Sequence, residues 1–196
     1  KLEFFLTKIP PAFDAFIKHY QPSLIITATP GFNYYDGGAI LLAKKYKIPF
    51  TMHAGESASS ESIKEAVKLG ASRIGHGVYL IDDTNLMEEI KEKEIPLEMC
   101  ITSNIQTHVV ADFESHPIKK FYDNGVIVTI NTDDRSVSGI DLTNEYNVAV
   151  NRLGFDVSDL IKIIHNGINA LFIPNKNKAE LNKIFETEMD AVKIIR

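Results

Sequence analysis

A histidine and a glutamate lie three residues apart in the segment TMHAGES, which begins at Thr51. An apolar run ends at His53, a small Ala-Gly pair follows, and Glu56 comes just before a helical pattern. A neutral imidazole can bind a metal ion, and a carboxyl group can move a proton to a substrate. Gly55, between the two, would let a substrate approach the backbone. The segment is either part of an active site or a polar turn, and the rest of the chain must distinguish the two.

Two further apolar runs end in polar residues of the same kinds. ASRIGH ends at His76, and VIVTIN runs through Asn131 into the pair Asp133 and Asp134. Taken singly, a histidine at a strand end is usually a structural residue, and an aspartate pair in a turn usually caps a helix. Their recurrence at matching positions favours one shared site instead. Imidazole and carboxylate ligands with a nearby acid predict metal-assisted hydrolysis of a polarised carbon–nitrogen bond.

The positions of these residues depend on an alternation of apolar runs and helical patterns. Strands separated by a helix form βαβ units, which build a parallel sheet, and the carboxyl ends of its strands meet at one edge. After the fifth run the pattern is helical only, with a helix at residues 142–153 and another at 160–171 that begins after a Ser158 cap. The predicted strands are residues 23–28, 48–53, 71–76, 95–100 and 126–131.

Composition indicates a soluble globular protein, which we expect to be a single domain over residues 1–196. The chain is 44% hydrophobic and 24% charged, with a net charge of −5 and a pI of about 5.7. An acidic chain offers no basic surface, which argues against nucleic acid and against an anionic membrane as partners. No apolar run reaches the roughly 20 residues of a membrane helix. A single cysteine excludes an internal disulfide and suits the cytoplasm.

Four motifs, in their order and spacing, carry a resemblance to a known family. MHAGES, RIGHGV, LEMCITSNIQTHVV and INTDDRSVSG resemble the carboxyl-terminal part of the adenosine deaminase family, the metal-dependent purine deaminases. The resemblance runs from about Ile48 to the end of the chain. It implies an α/β fold, the (β/α)₈ TIM-type barrel, of which this sequence shows about strands four to eight plus the C-terminal helices. The implied activity is zinc-dependent hydrolytic deamination of adenosine and deoxyadenosine at the purine C6, giving inosine plus ammonia from adenosine.

The resemblance also implies roles for the motif residues that hold the metal and move protons. His53 and Asp133 would be ligands of one Zn²⁺ ion per chain. Glu56 would be the proton donor to the purine ring. His76 would orient or deprotonate the zinc-bound water.

Two positions are implied to bind the substrate. Asp134 would form a hydrogen bond with the purine. Gly31 would stand for a glycine that the family places after its fourth strand, although TATPGFNYYDGG does not contain that motif. The implied partner is a small-molecule purine nucleoside, not nucleic acid or membrane, and the oligomeric state stays open.

The sequence departs from the family pattern at the first strand. The family's two other zinc ligands form an H-x-H motif there, and no H-x-H occurs in the 196 residues. Five predicted strands also fall short of the eight that a barrel needs. We therefore expect strands one to three to belong to sequence outside these residues. Two alternatives stay open: an adenine or other aminopurine deaminase, and a metal-free, non-catalytic relative.

The remaining histidines and the cysteine have no predicted catalytic role. None of His108, His116 and His165 ends a predicted strand, and we interpret them as structural or surface residues. Cys100 falls in the fourth predicted strand and is expected in the core.

Overall fold

A parallel sheet forms the centre of the fold. The computed structural model describes residues 25–27, 40, 42–57 and 59–194, with the backbone alone at 25–27 and 192–194. Within these residues the sheet has five parallel strands in sequence order, which confirms the five predicted strands. The strands are β1 (Ile25–Thr27), β2 (Phe50–Ala54), β3 (Arg73–His76), β4 (Leu97–Met99) and β5 (Val128–Ile130).

Helices lie between the strands and follow the last of them. A helical segment at 42–46 precedes β2. A 3₁₀ helix (Val78–Asp82) follows β3. The α-helices are α1 (Glu61–Leu69), α2 (Thr84–Glu92), α3 (Ile101–Gln106), α4 (Ile118–Asp123), α5 (Arg135–Ser138), α6 (Leu142–Leu153), α7 (Val157–Ala170) and α8 (Asn175–Ile194).

The start of α7 differs from the predicted Ser158 cap. Asp156 is the N-cap, and its side chain accepts a hydrogen bond from the backbone N–H of Asp159. The Asp159 carboxylate in turn accepts from the Asp156 N–H, so the pair forms a capping box. The predicted cap was wrong because the reciprocal pair satisfies two free N–H groups, whereas Ser158 donates its hydroxyl to Asp156.

The two faces of the sheet differ in polarity because side chains alternate along each strand. The face toward the helices is apolar and buried, and it packs against residues such as Ile63 of α1, Ile90 of α2 and Phe121 of α4. This packing supplies most of the apolar burial that stabilises the described part of the chain. The sheet residues of this face are Phe50, Met52, Ala54, Ile74, Leu97, Met99, Val128 and Ile130.

The opposite face carries polar groups that are paired with one another. The Thr51 hydroxyl donates to the Glu98 carboxylate at 2.6 Å, and Arg73 Nε lies 3.2 Å from the same carboxylate. The Arg73 guanidinium also stacks on the ring of Phe172, 3.9 Å from its centroid. His53 lies on the same polar face, two residues beyond Thr51. The polar face therefore continues to the carboxyl edge of the sheet. Among the described helices, none has the length and apolar character that a membrane crossing requires.

The packing of the helix-facing core predicts that two isoleucines contribute very differently to the free energy of unfolding. Ile90 on α2 is fully buried, whereas Ile184 on α8 is 53% exposed. Ile90→Ala removes buried methyl groups and leaves a cavity, so it should lower the free energy of unfolding by about 2 to 5 kcal/mol. Ile184→Ala should lower it by roughly 0.5 kcal/mol or less. Urea unfolding of both variants measures the difference, and equal losses would contradict the described packing.

Candidate active site

The register of β2 and β3 brings His53 and His76 together. His53 pairs with Gly75, and Ala54 pairs with His76. The two imidazole rings lie edge to face, with centroids 4.9 Å apart. A Cβ on Gly75 would lie 2.6 Å from His53 Cδ2, too close for any side chain. Gly75 therefore leaves the space that the His53 imidazole occupies.

Gly55 lies in a tight turn that packs against α1. Its φ is +64°, in the left-handed region that favours glycine. A Cβ at this position would collide with the side chain of Ile63 on α1, with Cγ1 only 2.7 Å away. The Gly55 N–H also donates to the Ser62 hydroxyl at 2.8 Å. The turn and the close packing on α1 therefore both require glycine at this position.

Two carboxylates face the buried ring of His76. His76 Nε2 lies 3.5 Å from Glu56 Oε2 and 3.9 Å from Asp133 Oδ2. The His76 side chain is 1% exposed, whereas those of Glu56 and Asp133 are 29% and 32% exposed. Burial lowers the pKa of His76, and the Glu56 charge opposes that change. The structure thus brings together His76 and both carboxylates, as the sequence predicted.

The backbone at this edge is strained where the site residues lie. His76 has φ +63° and Asp133 has φ +57°, in a region that non-glycine residues rarely adopt. Such strain persists only where the surrounding structure enforces it, and it is common at functional sites. For Asp133 the constraint is a hydrogen bond from the Ser103 hydroxyl to Oδ2 at 2.7 Å.

Asp134 caps a short helix at the same edge. Its Oδ1 accepts hydrogen bonds from the N–H groups of Ser136 and Val137, at 2.9 and 3.1 Å. This fixes the carboxylate at the start of α5 (Arg135–Ser138). Gly31, the other predicted substrate-binding residue, lies outside the described residues.

A buried glutamate fixes the helix that carries Ser103. The Glu145 carboxylate, fully buried on α6, accepts hydrogen bonds from both the N–H and the hydroxyl of Thr102. Burial raises the pKa of Glu145, and the bonds from Thr102 oppose that change. Glu145 therefore binds the N-terminal turn of α3 and sets the direction in which Ser103 points. Sequence reasoning missed this contact because it joins residues 43 positions apart.

Asn104, the next residue along α3, links two histidines. Its Nδ2 lies 3.0 Å from His76 Nδ1, and its Oδ1 lies 3.2 Å from His116 Nε2. Asn104 is fully buried and His116 is 3% exposed. Burial lowers the pKa of His116 to about 3, so this ring is neutral near pH 7. His116 is thus buried and not a surface residue, and Asn104 connects it to the site.

Two more histidines, His165 and His108, and the cysteine also lie within the described residues. His165 pairs with Asn182 at 2.6 Å, between α7 and α8, and His108 is exposed. Cys100 is buried as expected, but it begins α3 instead of ending β4. Burial raises the pKa of its thiol well above the usual range, so the group is uncharged near pH 7.

The donor atoms at this edge fit a zinc ion. Two groups of potential ligands have all donor atoms within 4.8 Å of one another, and they share His76. One contains His53 and Glu56, and the other contains Cys100 and Asp133. Imidazole, carboxylate and thiolate are the ligands that zinc prefers.

Comparison with known proteins identifies the family. A family model described as adenosine deaminase matches residues 27–187. The chain belongs to the adenosine deaminase family. It is 41% identical over 158 residues to an adenosine deaminase of Clostridium kluyveri, covering 80% of this chain and 44% of that protein. It is 48% identical over 135 residues to the enzyme of Aliivibrio fischeri strain ES114, covering 68% and 40%.

Solved structures show the same fold. An adenine deaminase from Arthrobacter aurescens aligns with a TM-score of 0.82 at 23% identity, over 91% of this chain and 56% of that one. An amidohydrolase from Burkholderia ambifaria with bound Zn aligns at 0.74 and 23% identity, over 80% and 44%. The described sheet and helices are thus part of a (β/α)₈ barrel of the adenosine deaminase family. The chain spans about two fifths of the length of the curated relatives it matches.

The close contact between Gly75 and His53 predicts that a side chain at position 75 lowers the metal affinity of this family member. Gly75→Ala should displace the imidazole and weaken metal binding, because the new Cβ takes its place. Gly167→Ala on α7 is the matched control, since within the described residues no atom outside its own helix backbone and chain neighbours lies within 4 Å of its Cβ position. The control should keep metal affinity and gain a little stability from helix propensity. Chelator competition on both full-length variants measures the effect, and unchanged affinity in Gly75→Ala would contradict it.

The buried neutral ring of His116 predicts a pH dependence of stability. The pKa of His116 is about 3 in the folded protein and about 6.5 when unfolded. Between these two pH values the unfolded chain binds a proton at His116 that the folded protein does not bind. The contribution of His116 to the free energy of unfolding is therefore fully present above pH 6.5 and is lost as pH falls toward 3. His116→Gln should therefore flatten the fall in unfolding free energy between pH 6.5 and 4. Parallel curves for the two proteins would show that the ring is not held neutral.

Proposed function

We propose that this chain carries part of the catalytic site of a zinc-dependent adenosine deaminase. The reaction is hydrolysis of adenosine to inosine plus ammonia, and of deoxyadenosine likewise. The observation that carries the proposal is the meeting of four side chains at one edge of the sheet: His76 Nε2 faces both Glu56 and Asp133, and its ring lies against His53. Curated relatives at 41 to 48% identity are adenosine deaminases, which favours the nucleoside as substrate.

His53 and Asp133 are the residues that would hold the zinc ion. They come from the ends of β2 and β5, and Asp133 is oriented by the Ser103 hydroxyl. When bound, zinc supplies a nucleophile near neutral pH by lowering the pKa of a coordinated water. The family's H-x-H ligands are not in these 196 residues, so the complete ligand set is a property of the whole protein.

Glu56 and His76 act on protons and on orientation. Glu56 is partly exposed and lies beside the mouth of the site, where a carboxylic acid can hand its proton to the purine ring. Protonation of the ring makes C6 more electrophilic, and the departing amino group leaves as ammonia. His76, buried beneath the two carboxylates, directs its Nε2 at the reacting oxygen. Asp134, fixed by its helix cap, binds the purine, and Gly31 is the second proposed substrate contact.

Substrate class is tested directly with the full-length protein. Adenosine, adenine and N6-methyl-AMP are assayed side by side for formation of the 6-oxopurine product, because relatives in solved structures act on adenine and on N6-methyl-AMP. The proposal predicts the highest kcat/KM for adenosine. A preference for adenine would support an aminopurine deaminase, and zinc-loaded protein without turnover of any substrate would support a non-catalytic relative.

Replacement of the proposed acid tests the mechanism. Glu56→Gln should keep the fold and the zinc content but lower kcat by about 10² to 10⁴, because an amide cannot donate the proton. Glu61→Gln is the matched control, since Glu61 begins α1 nearby and its side chain is 64% exposed. It should leave kcat unchanged. Near-normal turnover in Glu56→Gln would remove Glu56 from the role of donor.

A further inference from the structure

We propose that His116 and Asn104 are positioning residues that hold His76 in the tautomer with its proton on Nε2. A chain of hydrogen bonds from the backbone of α4 fixes this tautomer through the two side chains. The catalytic consequence rests on the proposed function, whereas the tautomer itself does not. No role for Asn104 was evident in the sequence, and His116 had only a structural interpretation.

The chain begins at a group that can only donate. The backbone N–H of Ile118, the first residue of α4, donates to His116 Nδ1 at 3.3 Å. Because Nδ1 accepts this bond, it carries no proton. His116 is buried and neutral, so its proton is on Nε2. A lowered pKa of this ring supports the same assignment.

The orientation of Asn104 follows from that proton. His116 Nε2–H donates to Asn104 Oδ1 at 3.2 Å, which leaves Nδ2 facing His76 Nδ1 at 3.0 Å. The reversed amide would require a proton on His116 Nδ1, directly opposite the Ile118 N–H. Two donors would then face each other in a buried position, which costs about 1 to 3 kcal/mol.

The last ring takes its tautomer from Asn104. His76 Nδ1 accepts from the Asn104 amide, so the neutral ring carries its proton on Nε2. That N–H points between Glu56 and Asp133, at 3.5 and 3.9 Å. A protonated Nε2 has no lone pair for a metal ion. His76 therefore donates a hydrogen bond to the reacting oxygen and neither binds the zinc nor removes the water's proton.

The tautomer can be read without any turnover. Long-range ¹H–¹⁵N spectra of the full-length protein, labelled in histidine, distinguish protonated from unprotonated ring nitrogens. Metal-free and zinc-loaded protein, both without substrate, should show His76 and His116 with protonated Nε2 and unprotonated Nδ1. A His76 ring with unprotonated Nε2 in both forms would overturn the proposal. Because no activity is measured, failure of the proposed deamination would not affect this result.

An isosteric variant should reverse the tautomer. Asn104→Asp places a carboxylate, which only accepts, beside His76 Nδ1, so Nδ1 should become protonated. We expect kcat to fall roughly 10- to 100-fold with little change in KM, as for other residues that orient a catalytic group. The control is Asn182→Asp, which makes the same change beside His165 between α7 and α8. It should alter neither the His76 signals nor kcat. Wild-type signals and wild-type kcat in Asn104→Asp would overturn the proposal.

A pair of substitutions at His116 gives a second test that does not depend on Asn104→Asp folding. His116→Gln keeps an amide donor toward Asn104 and an acceptor toward Ile118, so it should preserve the His76 tautomer and most of kcat. His116→Leu removes both and frees the Asn104 amide to turn over, so the His76 signals should become mixed and kcat should fall. Equal effects of the two substitutions on the His76 signals would mean that His116 only fills space.

Discussion

The parallel register of β2 against β3 is the constraint on which the candidate site depends. It pairs His53 with Gly75 and Ala54 with His76, so the two imidazoles meet at one edge. Because side chains alternate along a strand, a slip of one residue would turn His53 toward the apolar core. Only glycine at position 75 allows the His53 ring to lie across the neighbouring strand. The two carboxylates then reach His76 from the loops that follow β2 and β5.

The buried polar groups around α3 depend on this register, and they form hydrogen bonds with one another and with the site residues. Glu145 binds Thr102 at the start of the helix, Ser103 binds Asp133, and Asn104 joins His76 to His116. A buried polar group without a partner costs about 1 to 3 kcal/mol, so removing one member leaves the next one unsatisfied. The cluster therefore resists small rearrangements. This rigidity is what holds His76 and Asp133 at left-handed φ values.

The strands were predictable because each is a short apolar run, and three of them lead into polar site residues. His53 lies near the end of β2, His76 ends β3, and Asp133 lies in the loop after β5. The same periodicity gave α6 its observed bounds. Contacts made by side chains from distant parts of the chain were not predictable. Nothing in the spacing of Glu145 shows that it binds Thr102, and the space beside Gly55 is filled by a helix that local sequence does not position. The roles of the site residues were predicted from motifs, because periodicity predicts where a residue lies but not what it does chemically.

We propose that zinc binds His53 and Asp133, with His76 directed at the reacting oxygen and not at the metal. Anomalous diffraction at the zinc edge, from crystals of the full-length protein, tests it most directly. We expect one anomalous peak, bonded to the His53 imidazole and the Asp133 carboxylate, with His76 Nε2 outside the coordination sphere. A peak bonded to His76 Nε2 and the Cys100 thiolate, the other arrangement that the donor atoms permit, would contradict it.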